Sequence, residues 1–319
     1  MIIFNNVTKV FGLTAALSNV SLKFVKGCNG LLGPNGAGKT TCLRLSAGFI
    51  KPDHGTVTVC EENPFNNPRI LNIIGYCPEF DEPFPWMSGR KYLMKILRFY
   101  NMSSVEKIDR FNLVMEMFGL KSFIDRAIGG YSRGMKQRLK LAQAVIHDPE
   151  ILLLDEPLVG LDPIWRIKMI DFIKEWRRED KIIVYSTHLL FDAEKVCNNV
   201  FFLYKGALVA SGEIYELRER LDEFPHRVEI VVKDGISKVL KNLIDESFIN
   251  EIIIKERKND SGVLEIKTNQ PSKFYTLIPK ILYELDVSVE KIESIDDNLE
   301  SLYRYILSIS LGVNKLENR

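Results

Sequence analysis

One glycine-rich stretch decides the fold of this chain: Gly33-Pro34-Asn35-Gly36-Ala37-Gly38-Lys39-Thr40. It follows an apolar run that ends in Leu31-Leu32, and it precedes a helical pattern through Leu43 and Leu45. Glycines let the backbone wrap closely, so that successive N–H groups can point at phosphate oxygens. In the order strand, glycine loop and helix, the pattern GxxxxGK[ST] predicts a phosphate-binding loop at the positive end of a helix dipole.

The residue types in this loop predict a nucleoside triphosphate with Mg²⁺ as its ligand. Lys39 is expected to reach the β- and γ-phosphates, and Thr40 is expected to offer its hydroxyl to the metal. Further nucleotide contacts are predicted for Asn35, Gly36, Ala37, Gly38 and Thr41.

A second motif places two carboxylates after an apolar strand. Residues 151–154 read Ile-Leu-Leu-Leu and are followed directly by Asp155 and Glu156. Open α/β sheets bind their ligands at the carboxyl ends of such strands. We therefore expect Asp155 to hold Mg²⁺ through water and Glu156 to act as the general base on the attacking water. The alternative, a surface turn after a core strand, is disfavoured by the phosphate loop that precedes it.

Length and composition describe a soluble globular chain with more than one domain. Its 319 residues exceed a typical single domain, with 46% hydrophobic and 27% charged residues. The formal net charge of +1 argues against nucleic-acid binding as the main task, because affinity for a phosphate backbone needs clustered cations. The five cysteines are scattered without a CxxC pair, which predicts reduced thiols and no disulfide framework or zinc site.

The sequence contains no pattern for a membrane span. The first residues lack the basic start and long apolar stretch of a signal peptide. No apolar run reaches the ~18 residues that a transmembrane helix needs. We therefore expect any membrane role to depend on a partner.

Apolar periodicity predicts an α/β domain over residues 1–220. Strands are predicted at Ile2–Phe4, Val20–Phe24, Thr56–Val59, Ile151–Leu154 and Ile182–Tyr185. Continuous apolar runs separated by helices fit a parallel sheet that is covered on both faces. Apolar residues at helical spacing between about Trp86 and Leu120 predict an inserted helical subdomain over about 80–145.

A second, smaller α+β domain is predicted over residues 226–319. Its strands are expected at Val228–Val232, Ile252–Ile254, Val263–Ile266 and Val287–Ile292, and its helices near Ser237–Ile244 and Lys273–Leu285. The order βαββαβ is a split-βαβ, ferredoxin-like arrangement. A closing helix is predicted around Leu299–Ile306, and the boundary between the domains around Leu221–Pro225.

The stretch Tyr131-Ser132-Arg133-Gly134-Met135 lies between the phosphate loop and Asp155-Glu156. It resembles LSGGQ, the signature of the ATP-binding subunits of ABC transporters. Leu161-Asp162 is similar to the D-loop of that family, and Ser186-Thr187-His188 is similar to its switch-histidine segment. Phe11 stands where the family places an aromatic ring against adenine. The resemblance covers residues 1 to about 215 and is closest to the exporter-type branch with a separate permease.

This resemblance implies a dimer, formed with a second copy or a related ATPase subunit, that binds two Mg-ATP. Each phosphate loop would face Ser132 and Gly134 of the other subunit, with Asp162 also near the nucleotide and His188 on the γ-phosphate. Glu79 corresponds to the Q-loop glutamine and is expected to help ligate Mg²⁺. The resemblance further implies ATP hydrolysis, an integral-membrane permease as partner, no nucleic-acid partner, and a cytoplasmic location on the inner face of the membrane.

Several alternatives stay open from the sequence. Phe11 could be a core residue at a strand end, and Trp86 and Met87 could belong either to the core of the helical subdomain or to a permease-binding groove. The C-terminal domain could support dimerisation or sense a ligand or partner. The alternative function is a soluble ABC-type ATPase, although the single cassette lacks the long heptad insertion of DNA-repair members. A P-loop kinase or GTPase would not explain residues 131–135.

Overall fold

The computed structural model describes residues 1–80, 84–177, 180–219, 226–244 and 246–295, together with Ser301 and Tyr303. The chain divides into two units, Met1–Gly212 and Glu213–Arg319, so the division falls before the predicted domain end at residue 220. The predicted boundary at Leu221–Pro225 lies outside the described residues. The predicted closing helix does so as well, apart from Ser301 and Tyr303, which are helical.

The first unit alternates strands and helices along the chain. It begins with β1 (Ile2–Phe11), β2 (Thr14–Phe24), β3 (Gly27–Leu32), α1 (Lys39–Ser46), β4 (His54–Val59), α2 (Pro68–Ile73), β5 (Ile74–Cys77), α3 (Gly89–Leu97) and α4 (Ser104–Met117). After a 3-10 turn at Ile128–Gly130 follow α5 (Arg133–Val145), β6 (Ile151–Asp155), α6 (Pro163–Trp176), β7 (Ile182–Thr187), α7 (Leu190–Val196), β8 (Asn199–Tyr204) and β9 (Ala207–Glu213).

A six-stranded sheet with the order β5-β6-β7-β3-β8-β9 positions the predicted motifs. The neighbours β5 and β6, β6 and β7, and β7 and β3 pair in parallel, and every residue of β6 and β7 is buried. Burial on both faces explains their continuous apolar sequences. Because these strands are parallel, the segments that follow β3, β5, β6 and β7 all leave the sheet at the same edge.

The antiparallel sheet β2-β1-β4 is larger than the sequence predicts. The predicted strands Ile2–Phe4 and Val20–Phe24 are only parts of β1 and β2, which extend over ten and eleven residues. Their pairing shifts register three times between Phe4 and Val10. Such bulges interrupt the apolar–polar alternation, which is why the period-two pattern missed the outer parts of both strands.

Helices α3, α4 and α5 lie in the region for which a helical subdomain is predicted. The side chains that form its interior include Leu93, Leu97, Phe111, Val114 and Phe118, all buried. Ser103 begins α4 with a capping box, because its hydroxyl accepts from the Glu106 N–H and the Glu106 carboxylate accepts from the Ser103 N–H. Trp86 is 74% exposed, so a place in this core is excluded for it, and Met87 is half-buried.

The second unit contains α8 (Ile214–Glu219), β10 (His226–Val232), α9 (Ile236–Leu243), β11 (Glu251–Lys258), β12 (Ser261–Thr268), α10 (Pro271–Glu284) and β13 (Val289–Ser294). Its antiparallel sheet has the order β11-β12-β10-β13. From β10 onward this is the βαββαβ arrangement that the sequence predicts. Its core is formed by residues such as Val228, Ile230, Leu264 and Phe274. Within the described ranges, no helix is long and apolar enough to cross a membrane.

The contact between β5 and α5 depends on a glycine. A Cβ at Gly75 would lie 1.9 Å from the Ala144 carbonyl oxygen, whereas a Cβ at Gly130 would meet nothing nearer than 3.9 Å. We expect Gly75→Ala to lower the free energy of unfolding by about 3 kcal/mol, because the helix must move away from the sheet. Gly130→Ala is the matched control and should change it by less than about 0.5 kcal/mol.

Urea denaturation followed by tryptophan fluorescence measures this difference. The three tryptophans of the chain, Trp86, Trp165 and Trp176, all lie in the first unit and therefore report on its unfolding. Equal stability of the two variants would contradict the close approach of β5 and α5.

Candidate active site

The glycine loop after β3 is packed closely against neighbouring backbone. A Cβ at Gly33 would lie 2.2 Å from the Leu203 carbonyl oxygen, and one at Gly38 would lie 2.4 Å from that of Ala16. Gly38 has φ +104° and begins α1 without any side-chain cap. The first N–H groups of α1 are therefore free of a capping side chain, as an anion-binding helix end requires. Of the other predicted contact residues, Asn35 and Gly36 are exposed, Ala37 is buried, and Thr40 and Thr41 are half-buried.

The Lys39 ammonium group lies inside this loop. Its Nζ donates to the carbonyl oxygens of Gly33 and Pro34 at 2.7 and 3.3 Å, and it lies 3.5 Å from Glu156 Oε1. The side chain is only 7% exposed. A buried cation between the loop and a carboxylate supplies positive charge where the phosphates of a nucleotide would lie.

Asp155 at the end of β6 meets hydroxyl groups from two neighbouring elements. Its Oδ2 accepts from Thr40 Oγ1 at 2.7 Å, and its Oδ1 accepts from Ser186 Oγ at 2.5 Å. Burial raises the pKa of the Asp155 carboxyl, and each of the two hydroxyl hydrogen bonds lowers this pKa by a smaller amount. The Glu156 charge also raises the pKa, and the Lys39 charge lowers it. A buried carboxylate of this kind is stabilised by a nearby cation.

The pair of Thr40 and Asp155 fits Mg²⁺. Hydroxyl and carboxylate oxygens are the ligands this ion prefers, and it is commonly held by one or two protein groups together with water and substrate phosphates. Across the described part of the chain, no group of three or more His, Cys, Asp or Glu side chains could hold a metal by itself. Thr40 and Asp155 therefore supply two neighbouring oxygen atoms of the kind that Mg²⁺ prefers.

The Glu156 carboxylate is oriented by the end of β7. Its Oε1 accepts from the His188 N–H at 3.0 Å and lies 2.9 Å from His188 Nδ1, while Oε2 accepts from Thr187 Oγ1 at 3.2 Å. Glu156 is 4% exposed and has φ +48°, in the left-handed region that costs a non-glycine residue roughly 1 kcal/mol. Its N–H donates to the Ser186 carbonyl oxygen, which holds it in this conformation.

Glu79 follows β5 at the same edge of the sheet and is half-buried. Burial raises the pKa of its carboxyl, and the negative charges of Asp155 and Glu156 raise it further, with Lys39 and His188 acting in the opposite direction. These interactions place the Glu79 carboxyl in the electrostatic field of the two β6 carboxylates. Hydrogen bonds and ion pairs thus join Lys39 and His188 to Glu156, and Thr40 to the neighbouring Asp155, while Glu79 follows β5 at the same edge of the sheet.

Ser132 and Asp162 each begin a helix nearby. The Ser132 hydroxyl accepts from the Met135 N–H at 3.3 Å at the start of α5, and Asp162 Oδ1 accepts from the Trp165 N–H at 2.9 Å at the start of α6. A Cβ at Gly134 would lie 3.1 Å from the Gly160 carbonyl oxygen, so the two helix starts are close together. Among the described residues, no hydrogen bond or ion pair joins Ser132 or Asp162 to the phosphate loop.

Tyr131 and Arg133, which stand where LSGGQ has leucine and glycine, have opposite environments. Arg133 is exposed, so its side chain does not disturb the helix start. Tyr131 is buried, stacks edge-on against Phe123, and donates its hydroxyl to the Phe123 carbonyl oxygen at 2.8 Å. Tyr131 therefore anchors the segment in the helical subdomain.

Phe11 lies at the end of β1 and is 50% exposed, so the alternative of a core residue is excluded. The Lys9 ammonium lies 5.3 Å from the centroid of its ring. An exposed ring at this strand end is available for stacking. No described hydrogen bond or ion pair links Phe11 to the residues around Glu156.

Sequence reasoning missed several residues of this region. Ser186 and Thr187 bind the two carboxylates, and their place beside them follows from the parallel pairing of β6 and β7. Arg138 on α5 lies 4.3 Å from the Trp165 ring centroid and 4.8 Å from that of Phe123, a stack that joins α5 to α6. The position of Ser186 and Thr187 before His188 was a usable signal, but no local pattern predicted the Arg138 stack.

Comparisons with known proteins identify the family of this chain. The family model described as "ABC transporter" matches residues 17–159. The uncharacterized ABC transporter ATP-binding protein YxlF of Bacillus subtilis is 36% identical over 221 residues, which cover 69% of this chain and 73% of that protein. The Nod factor export ATP-binding protein I of Cupriavidus metallidurans is 36% identical over 66% of this chain and 71% of its own length.

A solved structure supports the same assignment. The dimeric structure of a bacterial ABC transporter cassette superposes with a TM-score of 0.62 at 25% identity, and covers 67% of this chain and 99% of that one. The family match over residues 17–159 contains the glycine loop, and the relatives carry the family name. The chain therefore belongs to the ATP-binding proteins of ABC transporters, and it is an ABC ATPase subunit that binds ATP.

Proposed function

We propose that this chain hydrolyses Mg-ATP as one half of a dimer and thereby drives a separate membrane permease that exports its substrate. The observation that carries this proposal is the position of Glu156, which β7 holds beside the Lys39 ammonium and next to the pair of Thr40 and Asp155. A buried general base, a cation and a partial metal site together are the groups that phosphoryl transfer to water requires.

Each of these groups has a role in the proposed reaction. Lys39 would exchange its two carbonyl acceptors for phosphate oxygens, and the N–H groups of the loop would bind the remaining oxygens. Thr40 and Asp155 would hold Mg²⁺, with Glu79 beside them; the ion supplies positive charge that neutralises the phosphates. Phe11 would stack on the adenine ring.

Glu156 would take a proton from the attacking water. At the same time the water oxygen would bond to the γ-phosphorus, and the bond between the γ-phosphorus and the β–γ bridging oxygen would break. His188 now contacts Glu156 Oε1, and its side chain is 41% exposed, so it can also reach a γ-phosphate at the open side of the site. In this role His188 would orient both the carboxylate and the phosphate.

The proposed dimer follows from those predicted nucleotide contacts that make no described contact with the phosphate loop of the same subunit. Ser132 is exposed at the start of the 13-residue helix α5, and that helix end offers a hydroxyl and N–H groups to an anion. With Gly134 and Asp162, it would complete the nucleotide site of the other subunit. The dimeric cassette among the solved structures supports this arrangement. We assign the second unit an accessory role that supports the dimer.

The proposed permease contact is an aromatic surface beside the Q-loop. Phe80, Phe84 and Trp86 are 82%, 53% and 74% exposed, and the rings of Phe84 and Trp86 are 5.4 Å apart. Exposed aromatic side chains in a group mark interaction sites. The name of the Nod factor export relatives supports the export direction. The chain would then lie on the inner face of the membrane through this contact.

Glu156→Gln tests the proposed function. The amide keeps the shape of the side chain but cannot accept the proton, so we expect turnover to fall by about 10²–10⁴-fold while ATP still binds. ATP-bound dimers should then accumulate. Phosphate release and light scattering on a sizing column measure the two effects.

The matched control is Glu150→Gln, since Glu150 is exposed just before β6 and contacts no site residue in the described structure. It should leave turnover unchanged. An unchanged turnover in Glu156→Gln itself would remove the general-base assignment.

Ser132→Asp tests the shared site separately. Aspartate caps a helix as well as serine does, so α5 should keep its start, but its charge would repel a phosphate of the other subunit. We expect ATP-dependent dimerisation and hydrolysis to fall at least tenfold, while binding of ATP to a single subunit stays within twofold.

Ser103→Asp is the control, because Ser103 caps α4 in the same way but lies outside the site. It should dimerise with ATP as the wild type does. If Ser132→Asp also dimerised normally, Ser132 would not face the nucleotide of a partner subunit.

A further inference from the structure

Helix α5 carries two polar side chains inside the protein, one turn apart. Gln137 and Lys140 are 5% and 6% exposed. Burying an amide or an ammonium group is unfavourable unless it is hydrogen-bonded, so the partners of these side chains indicate why they are there. Because both residues point to the sheet side of the same helix, their partners are expected on the strands and loops beneath it.

Both side chains donate to main-chain carbonyl oxygens. Gln137 Nε2 donates to the Pro157 carbonyl oxygen at 2.9 Å. Lys140 Nζ donates to the carbonyl oxygens of Pro78 at 2.8 Å and of Glu79 at 2.6 Å. An ammonium group has three donors and makes stronger hydrogen bonds than a neutral amide, so Lys140 holds two carbonyls at once.

These carbonyls belong to the loops that carry the site carboxylates. Pro157 follows Glu156 directly, just beyond the end of β6. Pro78 and Glu79 follow β5, the neighbouring strand. A proline has no N–H and cannot continue the sheet ladder, so these chain segments need hydrogen bonds from elsewhere to be held in place. Gln137 and Lys140 supply such bonds from α5.

The same helix begins at Ser132, which caps it. α5 runs from Arg133 to Val145 without a proline, so it can transmit a displacement as a rigid element. Any movement of the start of α5 must therefore also displace Gln137 and Lys140.

We infer that Gln137 and Lys140 are positioning residues that fix the positions of Glu156 and Glu79 relative to Ser132. The inference rests on the proposed function, since it assigns the coupling inside the shared ATP site to these two side chains. When α5 docks on the nucleotide of the partner subunit, the two loops of its own site move with it. A subunit whose α5 is misplaced would then hold its own carboxylates out of position.

Lys140→Met is the direct test. Methionine has nearly the same length and fits an apolar interior, but it cannot donate to the two carbonyls. We expect kcat per nucleotide-binding site to fall about tenfold, while KM for ATP and the affinity of one subunit for a fluorescent ATP analogue stay within twofold. Lys140→Gln keeps an amide donor and should retain an intermediate kcat.

Lys95→Met is the matched control, because Lys95 is an exposed lysine of the same helical subdomain. It should behave as the wild type. Circular dichroism and thermal melting check that each variant is folded. If Lys140→Met does not fold, the kcat, the KM and the nucleotide affinity of Lys140→Gln decide the inference instead.

A double-mutant cycle with Glu79→Gln connects the effect to its target. If Lys140 acts through the placement of Glu79, the double variant should have a kcat close to that of the slower single variant rather than the product of both losses. Fully multiplicative losses would overturn the link to Glu79.

The remaining outcomes separate this inference from the proposed function. Equal losses of kcat and of nucleotide affinity in Lys140→Met would show a purely structural residue and overturn the inference, as would an unchanged kcat. A wild-type protein without ATPase activity would overturn the proposed function and the inference together. An active wild type together with a Lys140→Met variant whose kcat equals that of the wild type overturns the inference alone.

Discussion

The burial of two adjacent carboxylates at one edge of the parallel sheet is the constraint on which the rest of the structure depends. Asp155 and Glu156 are 1% and 4% exposed. Removing an ionised carboxylate from water costs several kcal/mol unless donors and cations replace the lost hydration. The neighbouring elements supply these groups: the Thr40 hydroxyl and Lys39 ammonium from α1, and hydroxyl and N–H donors from the end of β7.

This arrangement is possible because β3, β6 and β7 are parallel neighbours. The glycine loop, the two carboxylates and His188 come from three distant parts of the chain, yet each follows a strand at the same sheet edge. Because these strands pair in parallel, residues that are far apart in sequence lie within hydrogen-bond distance of one another. Burial raises the pKa of the Asp155 carboxyl, so a nearby cation would stabilise its ionised form.

Helix α5 ties the helical subdomain to this edge of the sheet. Arg138 stacks on Trp165 of α6, while Gln137 and Lys140 bind carbonyls beside Glu156 and Glu79. The start of α5 is consequently linked both to the helix that follows Asp162 and to the loops of the site. The start of α5, the start of α6 and the loops after β5 and β6 are therefore joined by direct side-chain contacts.

The sequence by itself determined the family of this protein and the order of its motifs: the glycine loop, the strand that ends in two carboxylates, residues 131–135 and the βαββαβ order all rest on local patterns of residue type and spacing. It could not determine the extent of β1 and β2, because bulges interrupt their alternation. The exposure of Phe11 and Trp86 was likewise undecided, since an aromatic residue suits a core and a binding surface equally. Only the tertiary structure decided these points and the hydrogen-bond partners of Gln137 and Lys140. These bonds join segments that are distant in the chain, so they depend on strand pairing and helix packing and not on local residue patterns.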